Sequence, residues 1–391
     1  MRPSLAYLAQ GRLVLSENDA PPRTLESPFG RAVTERALEI DRRHAWKGQG
    51  RGANFMSRGL LWGGDSAPSA ALVKLSSLSA GRASGELLYS LETAEICGVL
   101  CYSVASGLER RLFHSNERRL RQLAASPGQG RIACSLSHDS GSANIALMDQ
   151  EASNLTEATE GDSVDQAPSW VPGHPDALVF QSAGIARDGS GRPVSLGPAS
   201  VRRIDLDRGE ITTLAEDPRQ DCLAPKIDSQ GNLLFIRRPY SRAGGGWIGS
   251  SLLDLLLLPV RLLRAVFLWL NFFSVRYSGK PLTTAGGPER QGADVKQMMV
   301  WGNLIDAERA ARESRARGDD TADLVPSSWQ LVRRAQDGGT TVLAKGVLAF
   351  DCDGDGGVVY SNGSAVYRLG SEGRRERLLL DTGIEQLVVL P

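Results

Sequence analysis

A short unit recurs along this chain, and a chain that repeats a unit too small to bury its own faces has few ways to fold. The unit is clearest from residue 132. Ile132-Ala133-Cys134-Ser135-Leu136-Ser137 alternates apolar and small polar side chains, the period of a strand. His138-Asp139-Ser140-Gly141-Ser142 is a polar turn. Ala143-Asn144-Ile145-Ala146-Leu147-Met148-Asp149 is a second strand, and Asn154–Thr159 supplies a third. After Ala167-Pro168-Ser169-Trp170 and the turn Val171-Pro172-Gly173, a new strand at Ala177–Ser182 starts the cycle again.

Three turns line up. Trp170-Val171-Pro172-Gly173 leads to Leu178-Val179-Phe180, and Ile227-Asp228-Ser229-Gln230-Gly231 leads to Leu233-Leu234-Phe235. Cys352-Asp353-Gly354-Asp355-Gly356 leads to Val358-Val359-Tyr360. Ala-Pro precedes the first two, at Ala167-Pro168 and Ala224-Pro225. A proline in a strand suggests an outer strand that lacks a ladder partner. The pattern resembles the TolB-like repeat, a strand, a second strand ending in a pair such as Met-Asp, and a Pro-Ser-Trp-Ser-Pro-Asp-Gly-like turn. Residues 131–182 match it best, with Val171 and His174 departing from its Ser and Asp. The resemblance covers about residues 85–240 and 328–391. It implies an all-β chain in a closed β-propeller. Six candidate blades start near Phe55, Cys97, Arg131, Ala177, Leu233 and Gly357, with seven blades as the alternative. Ile384–Leu390 is placed to pair with the hairpin around Leu5–Leu15, so residues 1–26 would close a ring that occupies 51–391.

Composition excludes little but points one way. The chain carries 45 Lys and Arg against 45 Asp and Glu. That balance argues against a nucleic-acid partner, which calls for a basic surplus. The runs Arg118, Arg119, Arg121 and Arg374, Arg375, Arg377 read as solvated strand faces. Charged residues follow the N-terminal Met1–Leu8 too early for the apolar core of a secretion signal. Five cysteines (Cys97, Cys101, Cys134, Cys222, Cys352) are scattered without zinc spacing. They read as small buried strand residues, and a cytoplasmic, reducing location fits.

Two segments leave the repeat. Over residues 27–50, Ser27-Pro28 is a helix start, and Phe29, Val33, Ala37 and Ile40 share one face. The second segment, 239–327, separates Leu233–Arg238 from Trp329–Arg334, read as the first and second strands of the fifth blade. Loops of that length in a compact fold carry function or are disordered. Its first half is strongly apolar: Leu252, Leu253, Leu256, Leu257, Val260, Leu263, Phe267, Trp269, Leu270, Phe272 and Phe273. Asp254, Arg261, Arg264 and Asn271 fall within about a third of a helical circumference. Charges at mid-bilayer cost on the order of 2.5–3.5 kcal/mol each, and a single crossing would stop the ring from closing. The expected segment is therefore a helix lying in a membrane interface, a re-entrant hairpin broken near Pro259, or a helix packed in an oligomer or buried on the propeller. Residues 303–317, rich in Ala, Glu and Arg, read as a second, solvated helix supported by i,i+3 and i,i+4 ion pairs.

Chemistry-bearing motifs are few. Asp351, Asp353 and Asp355 alternate as at the start of a calcium loop, yet Val359 and Asn362 occupy its later ligand positions, and the segment coincides with the repeat turn. There is no Gly-x-Ser-x-Gly elbow, although the resembled propellers also occur fused to prolyl-oligopeptidase-type hydrolases. The Gly-rich stretches lack the Lys-Ser/Thr of a phosphate loop, and no cofactor is expected. The expectation is a non-catalytic scaffold binding protein partners, peripheral on a membrane through 248–275. The alternatives are a soluble homo-oligomer assembled through the same segment and an enzyme with a site in the channel.

Overall fold

The computed structural model describes residues 3–17, 20–44, 73–93, 96–149, 154–240, 297–300, 303–306, 314, 323–354, 356–370 and 373–390. Within them the strands fall into four-strand antiparallel groups in chain order. Group one joins the two ends of the chain: Ile384–Val389, Leu5–Ala9, Arg12–Ser16 and Arg23–Leu25. Leu5 pairs with Val389 and Tyr7 with Leu387, the pairing expected from the terminal sequences. Group two is Lys74–Ala80, Glu86–Glu92, Cys97–Ser103 and Glu109–Ser115. Group three is Arg119–Ala125, Ile132–Ser137, Ala143–Met148 and Thr156–Glu157. Group four is Ser163–Val171, His174–Arg187, Ser200–Asp205 and Glu210–Ala215, with Pro193–Leu196 as a side hairpin. A single parallel pairing, Ala143 with Val164, links groups three and four. Group five is Gln220–Ile227, Leu233–Pro239, Gln330–Arg334 and Thr340–Lys345. Group six is Ala349–Cys352, Val358–Ser361, Ala365–Leu369 and Arg375–Leu380.

One such group cannot cover its own faces, and apolar layers between neighbours supply the cover. Leu87, Tyr89, Leu91 and Leu100 of group two pack on Ala6, Leu8, Leu13 and Leu15 of group one. Cys97, Val99 and Cys101 meet Leu120, Ile132 and Cys134 of group three. Ala133 and Ile145 meet Trp170, Leu178 and Phe180 of group four, and Val201 meets Cys222, Leu233 and Phe235 of group five. Leu234, Ile236 and Leu331 meet Phe350, Val358 and Tyr360 of group six. Val359 and Val366 return to Leu5, Tyr7 and Ile384 of group one. The layers form a cycle, so no group is left with an uncovered end face. The cysteines sit in these layers as small apolar side chains; four are buried and all five are unpaired.

The repeat is phased differently from the sequence expectation in two places. Cys97 begins the third strand of group two, not a new unit, and Phe55 lies outside the described residues. Leu233–Pro239 and Gln330–Arg334 are the second and third strands of group five, because Gln220–Ile227 precedes them. They pair directly, Leu233 with Arg334 and Arg237 with Gln330.

The second correction has a local source. Ala167-Pro168 and Ala224-Pro225 stand on the first, innermost strands of groups four and five, not on outer strands. The ladder jumps there, between Gln166 and Ser169 and between Leu223 and Lys226. Ala167 and Ala224 take φ of 50° and 48°. Group three bulges in the same place without proline, with Gln122 at φ 53° and a jump between Arg121 and Ala124. A bulge leaves the following residue out of the ladder, so proline removes a donor that had no partner.

Helix α1 spans Pro28–His44, inside the expected 27–50; residues 45–50 lie outside the described residues. The Ser27 hydroxyl accepts the Gly30 N–H at 3.0 Å, and Pro28 fills the first helical position, where no donor is needed. Glu109 accepts the Phe29 N–H at 2.9 Å and also the Tyr89 hydroxyl. Phe29 enters the layer between groups one and two, under the Arg111 guanidinium 5.2 Å from its ring centre. The expected helix over 303–317 does not begin at 303: Asn303–Asp306 is a strand paired with Gln297–Val300. Asn, Ile and Asp in Asn303-Leu304-Ile305-Asp306 are poor helix formers, which lets strand pairing win. Among the described residues no helix is long and apolar enough to cross a membrane.

Candidate functional site

The innermost strands of the groups meet around an axial cavity of about 110 Å³. Every one of them contributes to its wall, including Leu78, Gln122, Ser169, Lys226, Phe350 and Gln386. The bulges turn backbone N–H groups out of their own ladders, and a buried N–H left unpaired is costly. Each is met by a side chain of the preceding group. Ser77 Oγ accepts the Leu123 N–H at 2.7 Å, and Gln122 Oε1 accepts the Ala167 N–H at 2.8 Å. Gln181 Oε1 accepts the Ala224 N–H at 2.8 Å. Gln386 binds group two twice, accepting from Leu78 N–H at 2.9 Å and donating to Ser76 C=O at 3.0 Å. These contacts clasp one group to the next.

Asp351 clasps two seams at once. Its Oδ1 is 2.7 Å from Lys226 Nζ of group five, and its Oδ2 accepts the Val389 N–H of group one at 2.8 Å. Burial alone would depress the Lys226 ammonium; the Asp351 carboxylate beside it outweighs that and holds its pKa above the ordinary value. Glu385 also lines the cavity. Burial pushes its carboxyl above the usual carboxylate range, and Lys74 offsets only part of the rise.

The acidic run around Asp353 is a turn of the repeat. Asp353 N–H bonds Gly357 C=O, and Gly356 N–H bonds Asp353 C=O. Asp228 N–H bonds Asn232 C=O, and Gly231 N–H bonds Asp228 C=O, in the same way. Each Asp also accepts amides of its own turn: Gly357 N–H at 2.6 Å for Asp353, Gln230 and Asn232 N–H for Asp228. The Arg368 guanidinium stands 2.8 Å from Asp353. Thus Asp351 and Asp353, read from the sequence as the start of a cation loop, both face a cation of the chain itself. Asp355 lies outside the described residues, as do all the apolar positions from Leu252 to Phe273. Among the described residues no three His, Cys, Asp or Glu side chains are grouped to hold a metal ion.

A larger space of about 800 Å³ opens between groups four and five. Chain direction places it at one end of the cycle, where first strands turn into second and third into fourth: 171–174, 227–233 and 334–340. The connection from Pro239 to Gln330 joins a second strand to a third, so it leaves from the opposite end. Val171, Leu214, Ile227 and Leu233 give the groove apolar patches, and Arg203 and Arg334 stand on facing walls. Arg334 donates to Leu214 C=O at 2.6 Å, whereas the Arg203 side chain makes no hydrogen bond or ion pair among the described residues. The one carboxylate among the described lining residues, Asp228, is buried and engaged by its turn. Gly231 shapes one wall. At φ +81°, any Cβ there would lie 2.2 Å from Gln336 Nε2, which donates to Gln230 C=O at 2.8 Å. Nothing in the sequence reading singled out Arg203 or Arg334. The available signal was the alignment of the 171–173 and 227–231 turns, which sets them side by side.

No protein-family model matches the chain, and no curated protein matches its sequence. Among solved structures the chain is similar to TolB from Acinetobacter baumannii, at 11% identity and a TM-score of 0.52, with 100% of this chain and 67% of that one covered. It is also similar to a structure of a nidogen/laminin complex, at 8% identity and a TM-score of 0.52, with 99% and 98% covered. Likeness at such identities is a likeness of fold. The chain folds as a TolB-like β-propeller.

Proposed function

We propose that this protein is a non-catalytic, six-bladed propeller scaffold that binds a protein partner and is held at a membrane surface by its 248–275 segment, within an insertion of the fifth blade. The observation that carries the reading is how the channel wall uses its polar groups. Of the polar side chains in the wall, Gln122, Gln386 and Lys226 are engaged by neighbouring blades and Glu385 is held toward its neutral form by burial, which favours a structural channel over a reaction chamber. Six apolar layers in a cycle support six blades. Membrane contact is supported by the apolar sequence from Leu252 to Phe273, in which Asp254, Arg261, Arg264 and Asn271 recur at spacings that a helix would gather into one narrow stripe. Five unpaired cysteines favour a reducing, cytoplasmic location.

Flotation with liposomes tests the tether. The full chain is expected to rise with vesicles and a chain deleted for 248–275 to stay behind; equal soluble behaviour of both would sink the membrane half. The same apolar run favours a second reading, a homo-oligomer assembled through it. Light scattering of the intact and deleted chains separates the two, since only an oligomer loses mass beyond the deleted segment. Site-specific cross-linking in cells tests partner binding, with a discrete protein adduct expected from positions around the groove.

A further inference from the structure

We infer that the groove between the fourth and fifth blades docks an extended, acidic-aliphatic segment of a protein partner, its carboxylates meeting Arg203 and Arg334 from facing walls. The inference rests on the partner-binding reading and gives the partner a chemistry. Arg203 spends no donor on a partner among the described residues, and Arg334 spends one on Leu214 C=O; a guanidinium has five. Among the described residues the only carboxylate of the lining is Asp228, whose oxygens already accept Gln230 N–H, Asn232 N–H and the Asn232 side-chain amide N–H. The exposed formal charge of the groove is therefore positive, and an anionic guest is complementary to it. Leu214 and Ile227, only half-buried, line the same groove and suit aliphatic side chains. A volume of about 800 Å³ exceeds what a single small carboxylic acid fills and suits several peptide residues.

The probe is a fluorescein-labelled hexapeptide alternating Asp and Leu, titrated with the full chain and followed by anisotropy. Saturable binding is expected that weakens with salt, is absent for the Asn-Leu analogue, and falls at least about tenfold in the Arg203→Glu, Arg334→Glu double variant. A circular dichroism melt confirms that the double variant is folded; Arg203→Glu alone, which removes no hydrogen bond or ion pair among the described residues, serves if it is not. Equal binding by wild type and the single or double variant would overturn the site. So would failure of the wild type to bind at about 1 mM peptide. Full displacement of the peptide by equimolar succinate would overturn a peptide as the occupant in favour of a small diacid. If the site fails while the cellular cross-linking adduct persists in the double variant, partner binding stands and only this groove falls. If the adduct is also missing from wild type, the scaffold reading itself falls.

Discussion

The channel wall and the groove between the fourth and fifth blades come from the same repeat, yet they treat their polar groups in opposite ways. Along the channel, a bulge in the innermost strand exposes an amide and the preceding blade supplies an acceptor for it. In the groove, ordinary tight turns satisfy themselves internally, as Asp228 does, and arginines on the strands behind them keep donors to spare. Closing a ring requires each seam to be held; presenting a surface requires the reverse. The difference separates residues whose loss should destabilise the chain from Arg203, whose loss should leave the fold intact.

Asp351→Ala should show the largest effect. It removes the partner of half-buried Lys226 and the acceptor of the Val389 N–H together. Breaking a buried pair costs about 3–5 kcal/mol, and partial exposure of the lysine reduces this to about 2–3 kcal/mol, read by urea denaturation. The pair also has a pH signature. A raised lysine pKa means the contribution is whole below the unfolded value of about 10.4 and disappears as pH rises through the folded value. Alkaline melts of wild type should steepen above about pH 10.4, and those of Asp351→Ala should not.

Gln386→Leu comes next. It leaves Leu78 N–H and Ser76 C=O without their partner, at a cost of about 1–3 kcal/mol, measured the same way. Glu385→Gln should move the other way and stabilise. A carboxyl whose folded pKa is raised holds its proton more tightly in the folded chain, so wild-type stability falls as pH rises from about 4.3 through the folded value. The variant should therefore melt higher than wild type at pH 7 and equally at about pH 4, by calorimetry. Arg203→Ala should change stability least, within about 0.5 kcal/mol, because the side chain makes no hydrogen bond or ion pair among the described residues. A larger loss there would blur the line between the two regions.

The strands that repeat most regularly were legible from their residues: Ile132–Ser137, Leu233–Pro239 and Val358–Ser361 carry a buried apolar run after a Gly turn. Pairing of the two ends was legible for the same reason, and the cap at Ser27-Pro28 placed α1. The innermost strands were not. Lys74–Ala80 reads Lys-Leu-Ser-Ser-Leu-Ser-Ala, too polar to stand out, because one side of it faces the channel. Ala224-Pro225 reads as a strand edge until the bulge beside it is seen, and this shifted the phase of the fifth blade. The clasps lay beyond any local pattern: Gln386 and Leu78 are 308 residues apart, and Lys226 and Asp351 are 125 apart. Asp351 therefore looked like part of a cation loop, when its nearest cation is an ammonium from the neighbouring blade. The groove stayed hidden because its walls come from turns and strands far apart in the chain.

A double-mutant cycle on Lys226 and Asp351 tests the clasps between blades most directly. Lys226→Met, Asp351→Asn and the pair together, compared by urea denaturation at pH 7, should show a coupling of at least about 1 kcal/mol, with the double variant less damaged than the sum of the singles. Single effects that simply add, with no coupling beyond about 0.3–0.5 kcal/mol, would contradict a channel wall held by clasps between blades.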